Sequence, residues 1–132
     1  MKKIVVVGGV AGGASAAARI RRLDASAKIV MFEKGPHVSF SNCCLPYYLS
    51  GTVAKADSLV LMTPEKFHAQ HDIDARTNSE VTAINREEKT VTVKNLLTGE
   101  EYAESYDKLI LAPGANPVLP RSIEGIDREN VF

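Results

Sequence analysis

Apolar positions along the chain change period several times, and each change marks a different element. Residues 2–7 (KKIVVV) form a β-branched run cut short by glycines, which predicts a strand buried on both faces of a parallel sheet. Residues 12–25, rich in alanine and arginine, predict a helix. Residues 28–33 (KIVMFE) predict a second buried strand that ends in an acid. Together they have the length of one βαβ unit. Thr63, Pro64 and Glu65 supply an N-cap, a first helical proline and a first-turn acid, so a short helix is expected to run to about Gln70. The pattern then turns to alternation. IDARTN, EVTAINREE, KTVTVKN and EEYAESY predict short strands joined by polar turns, one of them at Thr98 and Gly99. These four stretches are expected to make an antiparallel meander inserted in an α/β domain. Residues 107–115 (DKLILAPGA) restore a buried strand that ends in Pro-Gly. The tail from Asn116 onward, with Pro117, Pro120 and Gly125, has linker character. Val131 and Phe132 are residues suited to opening another strand.

Length adds a bound: 132 residues suffice for one domain with a real core. Charge adds an exclusion. Sixteen basic residues balance sixteen acidic ones, so no field of one sign favours nucleic acid or a membrane surface. The N-terminus has the charged start and apolar run of a secretory signal, but glycines interrupt the run and arginines follow at once. No apolar run approaches the roughly 18 residues a membrane helix needs. Two cysteines without spaced pairs suit a reducing cytosol, so a soluble, cytoplasmic protein is expected.

VVVGGVAGGAS lies between the first strand and the first helix. A dinucleotide pyrophosphate rests at such a turn on backbone N–H groups and the positive end of a helix dipole. Against Gly-x-Gly-x-x-Gly, Gly8 and Gly13 match the outer positions and Val10 replaces the middle glycine. Glu33, twenty residues past Gly13, would accept hydrogen bonds from ribose hydroxyls and repel a 2′-phosphate. FAD or NAD fits that position and NADP does not.

SFSNCCLPYY holds both cysteines, Cys43 and Cys44, side by side. A disulfide between neighbours closes a strained ring, and the spacing of an internal redox dithiol is missing. Pro46 is tolerated only in the first turn of a helix, which predicts Asn42 as N-cap and Cys43 as first helical residue. At that position the helix dipole favours the thiolate. Cys44 is expected to point into packing. The set of Cys, His, Asp and Glu shows no metal-ligand spacing, and His37 and His68 are expected at the surface.

KIVVVGGVAGGASAAARIRR, FEKGPHVSFSNCCLPYYLSG, LMTPEKF and SYDKLILAPGA together resemble the N-terminal part of coenzyme A disulfide reductases. These flavoproteins of the pyridine nucleotide-disulfide oxidoreductase superfamily are related to NADH oxidases and NADH-dependent persulfide reductases. The resemblance covers essentially the whole chain, and valine is common at the middle turn position in that family. It implies a Rossmann-like FAD/NAD(P)-binding three-layer α/β fold, incomplete at its C-terminus. Residues 1–115 would be the FAD-binding domain and 116–132 a linker toward an NAD(P)H-binding domain outside the chain. It implies that Cys43 is the active-site cysteine, cycling between thiolate and a mixed disulfide with coenzyme A. It implies FAD contacts at Gly8, Gly9, Val10, Ala11, Gly12 and Gly13, at Glu33 and Lys34, at Val81, and at Ala112 and Gly114. Substrate contacts would come from Ser15, Arg19, Arg22, Ser39, Asn42 and His71. Helical spacing independently places Ser15, Arg19 and Arg22 on one face, where two arginines suit coenzyme A phosphates. At position 71 the family more often carries lysine. NAD(P)H would be the electron donor, coenzyme A disulfide or a persulfide the substrate, and the full-length protein a homodimer. Two alternatives stay open: an NADH oxidase or peroxidase cycling through a Cys43 sulfenic acid, and a stand-alone nucleotide-binding module without catalysis.

Overall fold

The computed structural model describes residues 1–116 and 118–129; Pro117 and residues 130–132, with the expected strand opening at Val131 and Phe132, lie outside the described residues. Strands β1 (Lys3–Val7) and β2 (Lys28–Phe32) flank helix α1 (Ala11–Leu23), as the first apolar periods predict. A 3-10 turn at Asn42–Cys44 leads into the short helix α2 (Leu45–Leu49), and a second such turn spans Ala56–Leu59. Helix α3 (Pro64–His71) opens on Thr63, whose side chain accepts a hydrogen bond from the Lys66 N–H. Strands β3 (Ile73–Arg76), β4 (Ser79–Asn85), β5 (Thr90–Asn95), β6 (Glu101–Ser105) and β7 (Lys108–Leu111) follow. From Val118 to Glu129 the chain forms turns only.

Four strands make a parallel sheet in the order β3-β2-β1-β7, and three make an antiparallel sheet in the order β4-β5-β6. One expectation is corrected here. Ile73–Arg76 is not part of the meander; it pairs in parallel with β2, Ile29 opposite Ile73 and Phe32 opposite Arg76. The preceding helix α3 acts as the crossover that a parallel partner requires.

The continuous apolar character of β1 and β2 follows from burial on two sides. Ile4, Val6, Ile29, Met31 and Ile73 face Ala14, Ala17 and Phe67 of the helices. Val5, Val30 and Phe32 face Val91 and Val93 of the meander. The result is three layers, helices on one side of the parallel sheet and the antiparallel sheet on the other. Small residues Gly13, Ala14 and Ala17 give α1 the flat face that lies against the strands. Across the second interface, Arg76 lies 5.4 Å from the centre of the Phe32 ring and bonds Asp74, Tyr102 and Glu104; Lys3 pairs with Glu104 from the other side. Burial raises the pKa of the Glu104 carboxyl, but the hydrogen bonds from Lys3 and Arg76 outweigh it and hold the group below the usual carboxylate range. Among the described residues no helix is long and apolar enough to cross a membrane.

Candidate functional site

The parallel sheet fixes where a ligand can sit. From β1 the chain passes through α1 to β2 on one side, and returns as β7 on the other side. The strand order therefore reverses beside β1, and the loops leaving β1 and β7 part there to form a crevice at the carboxyl ends of the strands. Gly8 follows β1 directly with φ at 93°, and an added Cβ would lie 1.9 Å from the Ala112 carbonyl oxygen. At Gly13 a Cβ would lie 1.7 Å from the Gly8 carbonyl oxygen. Both glycines are therefore demanded by backbone packing. Val10 stands in place of the middle glycine with a negative φ of −91°, so the left-handed backbone that favours glycine is not required there.

Helix α1 has a start with no side-chain cap, since Val10 occupies the N-cap, and no acid stands in its first turn. Its leading N–H groups and dipole are available to an anion. Gly12 is exposed there, and a Cβ on it would meet only the Ala112 side chain, at 3.5 Å. Glu33 accepts from the Gly9 N–H and the Gly35 N–H, each at 2.8 Å, one on each carboxylate oxygen. The side chain is thereby locked, and each oxygen keeps a lone pair for a further donor.

Three concavities adjoin along this edge, each sharing lining residues with the next. The first, about 160 Å³, is lined by Gly8, Glu33, Lys34 and Val81 among others. The second, about 350 Å³, shares Glu33, Lys34 and Pro113 with it and adds Val10, Ala11, Gly12, Ala112 and Gly114. The third, about 660 Å³, shares Val10, Ala11 and Asn42 with the second and contains Ser15, Ser39 and Cys43. An extended dinucleotide with its phosphates at the α1 start fits this series of spaces, so the residues present suit an FAD-type group.

The cysteine segment is held to the turn by backbone. Ser39 adopts the left-handed region at φ 51°, its N–H donates to the Gly9 carbonyl at 2.7 Å, and its carbonyl accepts from Leu61 at 3.2 Å. Ser41 donates its N–H to Leu59 at 2.8 Å, and Phe40 bridges to Val60. The predicted helix start is displaced. Asn42 is already the first residue of the 3-10 turn, with Ser41 before it, and the α-helix begins only at Leu45, where Pro46 is second. A proline restricts the first turn without selecting a position in it, which is why the sequence reading of Asn42 as N-cap misses by a residue.

Cys43 is exposed and Cys44 half-buried, and both are free thiols. The Ser41 hydroxyl donates to the Cys44 sulfur at 3.1 Å and lies 3.5 Å from the Cys43 sulfur. Hydrogen bonds from Ser41 and then from Cys44 hold the Cys43 thiol below its ordinary range. Sequence predicts Cys44 as packing alone; the structure leaves it half-buried and bonded to the Ser41 hydroxyl.

The sequence-derived substrate residues divide. Ser15, Ser39 and Asn42 meet in the Cys43 cavity. Arg19 and Arg22 are exposed farther along α1, while the arginine between them, Arg21, is spent on structure, bonding the carbonyls of His71, Ala25 and Asp72. His71 ends α3 with its ring 6.2 Å from that of Phe67. His37 and His68 are exposed. Sequence reasoning passed over Ser41, Phe40 and Leu61, which also line the cysteine cavity. A serine just before a proline-bearing helical turn is a capping signal that could have drawn attention to Ser41.

A family model described as pyridine nucleotide-disulphide oxidoreductase matches residues 2–132. A coenzyme A disulfide reductase of Staphylococcus aureus strain JH9 is 53% identical over 116 residues, 88% of this chain and 26% of that protein. The crystal structure of a reduced Bacillus anthracis protein titled CoADR-RHD superposes with a TM-score of 0.89 at 54% identity, covering 95% of this chain and 22% of the other. A NAD-dependent persulfide reductase from A. fulgidus superposes with a TM-score of 0.90 at 41% identity, covering 96% and 23%. The chain spans about a quarter of the length of these relatives.

Proposed function

The chain belongs to the pyridine nucleotide-disulphide oxidoreductase family, and on that premise we propose that it is the FAD-binding part, with the redox cysteine, of a coenzyme A disulfide or persulfide reductase. The observation that carries this reading is the row of adjoining concavities from Glu33 and Val81, past the start of α1, to the exposed thiol of Cys43. FAD, when bound, supplies a two-electron carrier between NAD(P)H and sulfur.

The residues then take these roles. The N–H groups at the α1 start, in the turn from Gly8 to Gly13, hold the pyrophosphate. Glu33 and Lys34 hold the ribose, and Val81, Ala112 and Gly114 line the flanks. Ser15, Ser39 and Asn42 seat the disulfide or persulfide beside Cys43. Arg19 and Arg22 meet the phosphates of coenzyme A. His71 contributes to that contact only by turning off the Phe67 ring. Attack of the Cys43 thiolate on coenzyme A disulfide forms a Cys43–coenzyme A disulfide and expels one coenzyme A thiolate. Two electrons from NAD(P)H, with a proton from solvent, then return Cys43 to thiolate and release the second thiol. Residues 1–115 form the FAD-binding domain in this reading, and 116–132 lead to an NAD(P)H-binding domain of a cytoplasmic homodimer.

The test is NAD(P)H consumption by the whole protein with coenzyme A disulfide, a persulfide and oxygen offered separately. Turnover with a sulfur acceptor, reduced to background in Cys43→Ser, is expected. Faster turnover with oxygen than with either sulfur acceptor overturns the assignment.

A further inference from the structure

Among the described residues, those lining the Cys43 cavity carry no charge. The residues around it are Val10, Ala11, Ala14, Ser15, Ser39, Phe40, Ser41, Asn42 and Leu61, none of them ionisable. No lysine, arginine or histidine lies in that set to stabilise a thiolate by charge. The segment's own helical turn is also a weak source. Asn42–Cys44 is a three-residue 3-10 turn, and the α-helix proper starts at Leu45, beyond both cysteines. Within this cavity the described residues that face a negative sulfur at position 43 offer neutral donors.

One such donor stands within reach of Cys43, and it touches the neighbouring thiol as well. The Ser41 hydroxyl lies between the two sulfurs, 3.1 Å from Cys44 and 3.5 Å from Cys43, and the Cys44 thiol is the single titratable group next to Cys43 in the turn. A hydroxyl has one proton to give. With both thiols protonated it donates to Cys44, and the Cys43 thiol can donate to its oxygen. When Cys43 loses its proton to solvent, rotation about the Ser41 Cβ–Oγ bond turns the hydroxyl proton toward the new anion. The Cys44 S–H, relieved of that bond, is free to donate to the same sulfur.

We propose that Ser41 is a positioning residue that sets the reactivity of Cys43, its hydroxyl switching between the two sulfurs, with Cys44 as the second donor. The inference rests on the reading of Cys43 as the reactive thiol. It also gives the vicinal cysteine a task that does not require a disulfide. The backbone supports the arrangement independently of the side chain: the Ser41 N–H is bonded to Leu59 and its carbonyl to the Cys44 N–H at 3.0 Å, so removal of the hydroxyl leaves the turn tied.

The experiment is the pH dependence of alkylation by iodoacetamide in the whole protein, with the modified residue located by peptide mass. The wild type, Ser41→Ala, Ser41→Thr, Cys44→Ala and the Ser41→Ala/Cys44→Ala double variant are compared. Expected is a rise in the midpoint of Cys43 alkylation in Ser41→Ala and a fall of severalfold in its rate at neutral pH. Ser41→Thr keeps the wild-type midpoint, Cys44→Ala gives a smaller rise, and the double variant gives the largest. An unchanged midpoint in Ser41→Ala, with wild-type circular dichroism, overturns the proposal. So does a rise in Ser41→Thr as large as in Ser41→Ala. Failure of the underlying reading looks different: the Ser41 dependence of alkylation is present, but the wild type does not turn over a sulfur acceptor.

Discussion

The glycine turn and the cysteine segment lie at the same end of the sheet and are built in opposite ways. At the turn, backbone meets backbone: Gly8 against Ala112, and Gly13 against Gly8, with no room for a methyl group. In the cysteine segment, Asn42–Cys44 and Leu45–Leu49 contain no buried residue. That segment keeps its place through Val38 and Leu59, which are buried, and through the bonds of Ser39 and Ser41 to Gly9 and Leu59. The glycine turn is thus fixed by sterics, and the exposed Cys43 by a handful of hydrogen bonds. Precision and exposure are supplied by different parts of the chain, an arrangement that suits the nucleophile proposed at Cys43.

The largest effect that would break this contrast comes from Gly13→Ala, whose methyl group would overlap the Gly8 carbonyl. A loss of about 3 kcal/mol or more in chemical denaturation is expected. Gly12→Ala, one residue away, would meet only the Ala112 side chain at an ordinary 3.5 Å; it is the control and should cost nothing. Glu33→Ala comes next. It strips the Gly9 and Gly35 N–H groups of a charged acceptor, and a loss of about 2 kcal/mol is expected from the same measurement. Glu104→Gln probes the packed body through charge, at a cost near 1 kcal/mol at neutral pH. Because the folded-state pKa of Glu104 is depressed, its contribution is present above the unfolded carboxylate pKa and lost as pH falls through the folded value. Denaturation midpoints of wild type and variant should therefore converge on acidification below the usual carboxylate range. The smallest effect belongs to Cys43→Ser, within about 0.5 kcal/mol of wild type, since the side chain is exposed. A large loss there would erase the distinction between the two regions.

Legibility in the sequence follows the same division. Residues 2–33 were readable because burial on two faces leaves continuous apolar strands, and close backbone contact leaves glycines. Ile73–Arg76 misled because it is short and only Ile73 is buried, so its pattern resembles the alternating strands that follow. The helix before it was the better guide to its parallel pairing. In the cysteine segment Pro46 showed that a helix begins nearby but not at which residue. The part played by Ser41 was hidden for another reason: a side chain that reaches two sulfurs in the same turn leaves no periodicity to detect. Val38, wholly buried within an otherwise polar loop, likewise became meaningful only with its contact to the Gly9 position in view.

The bond from the Ser39 N–H to the Gly9 carbonyl has a consequence for redesign. It joins the cysteine segment to the body at one end, and the pairing of Phe40 with Val60 closes the other. Between these clasps, residues 45–58, beyond Asn42 and Cys43, contribute no strand to either sheet and line neither the turn nor the cysteine cavity. Changes confined to that loop would therefore leave the strands and the glycine turn as they are.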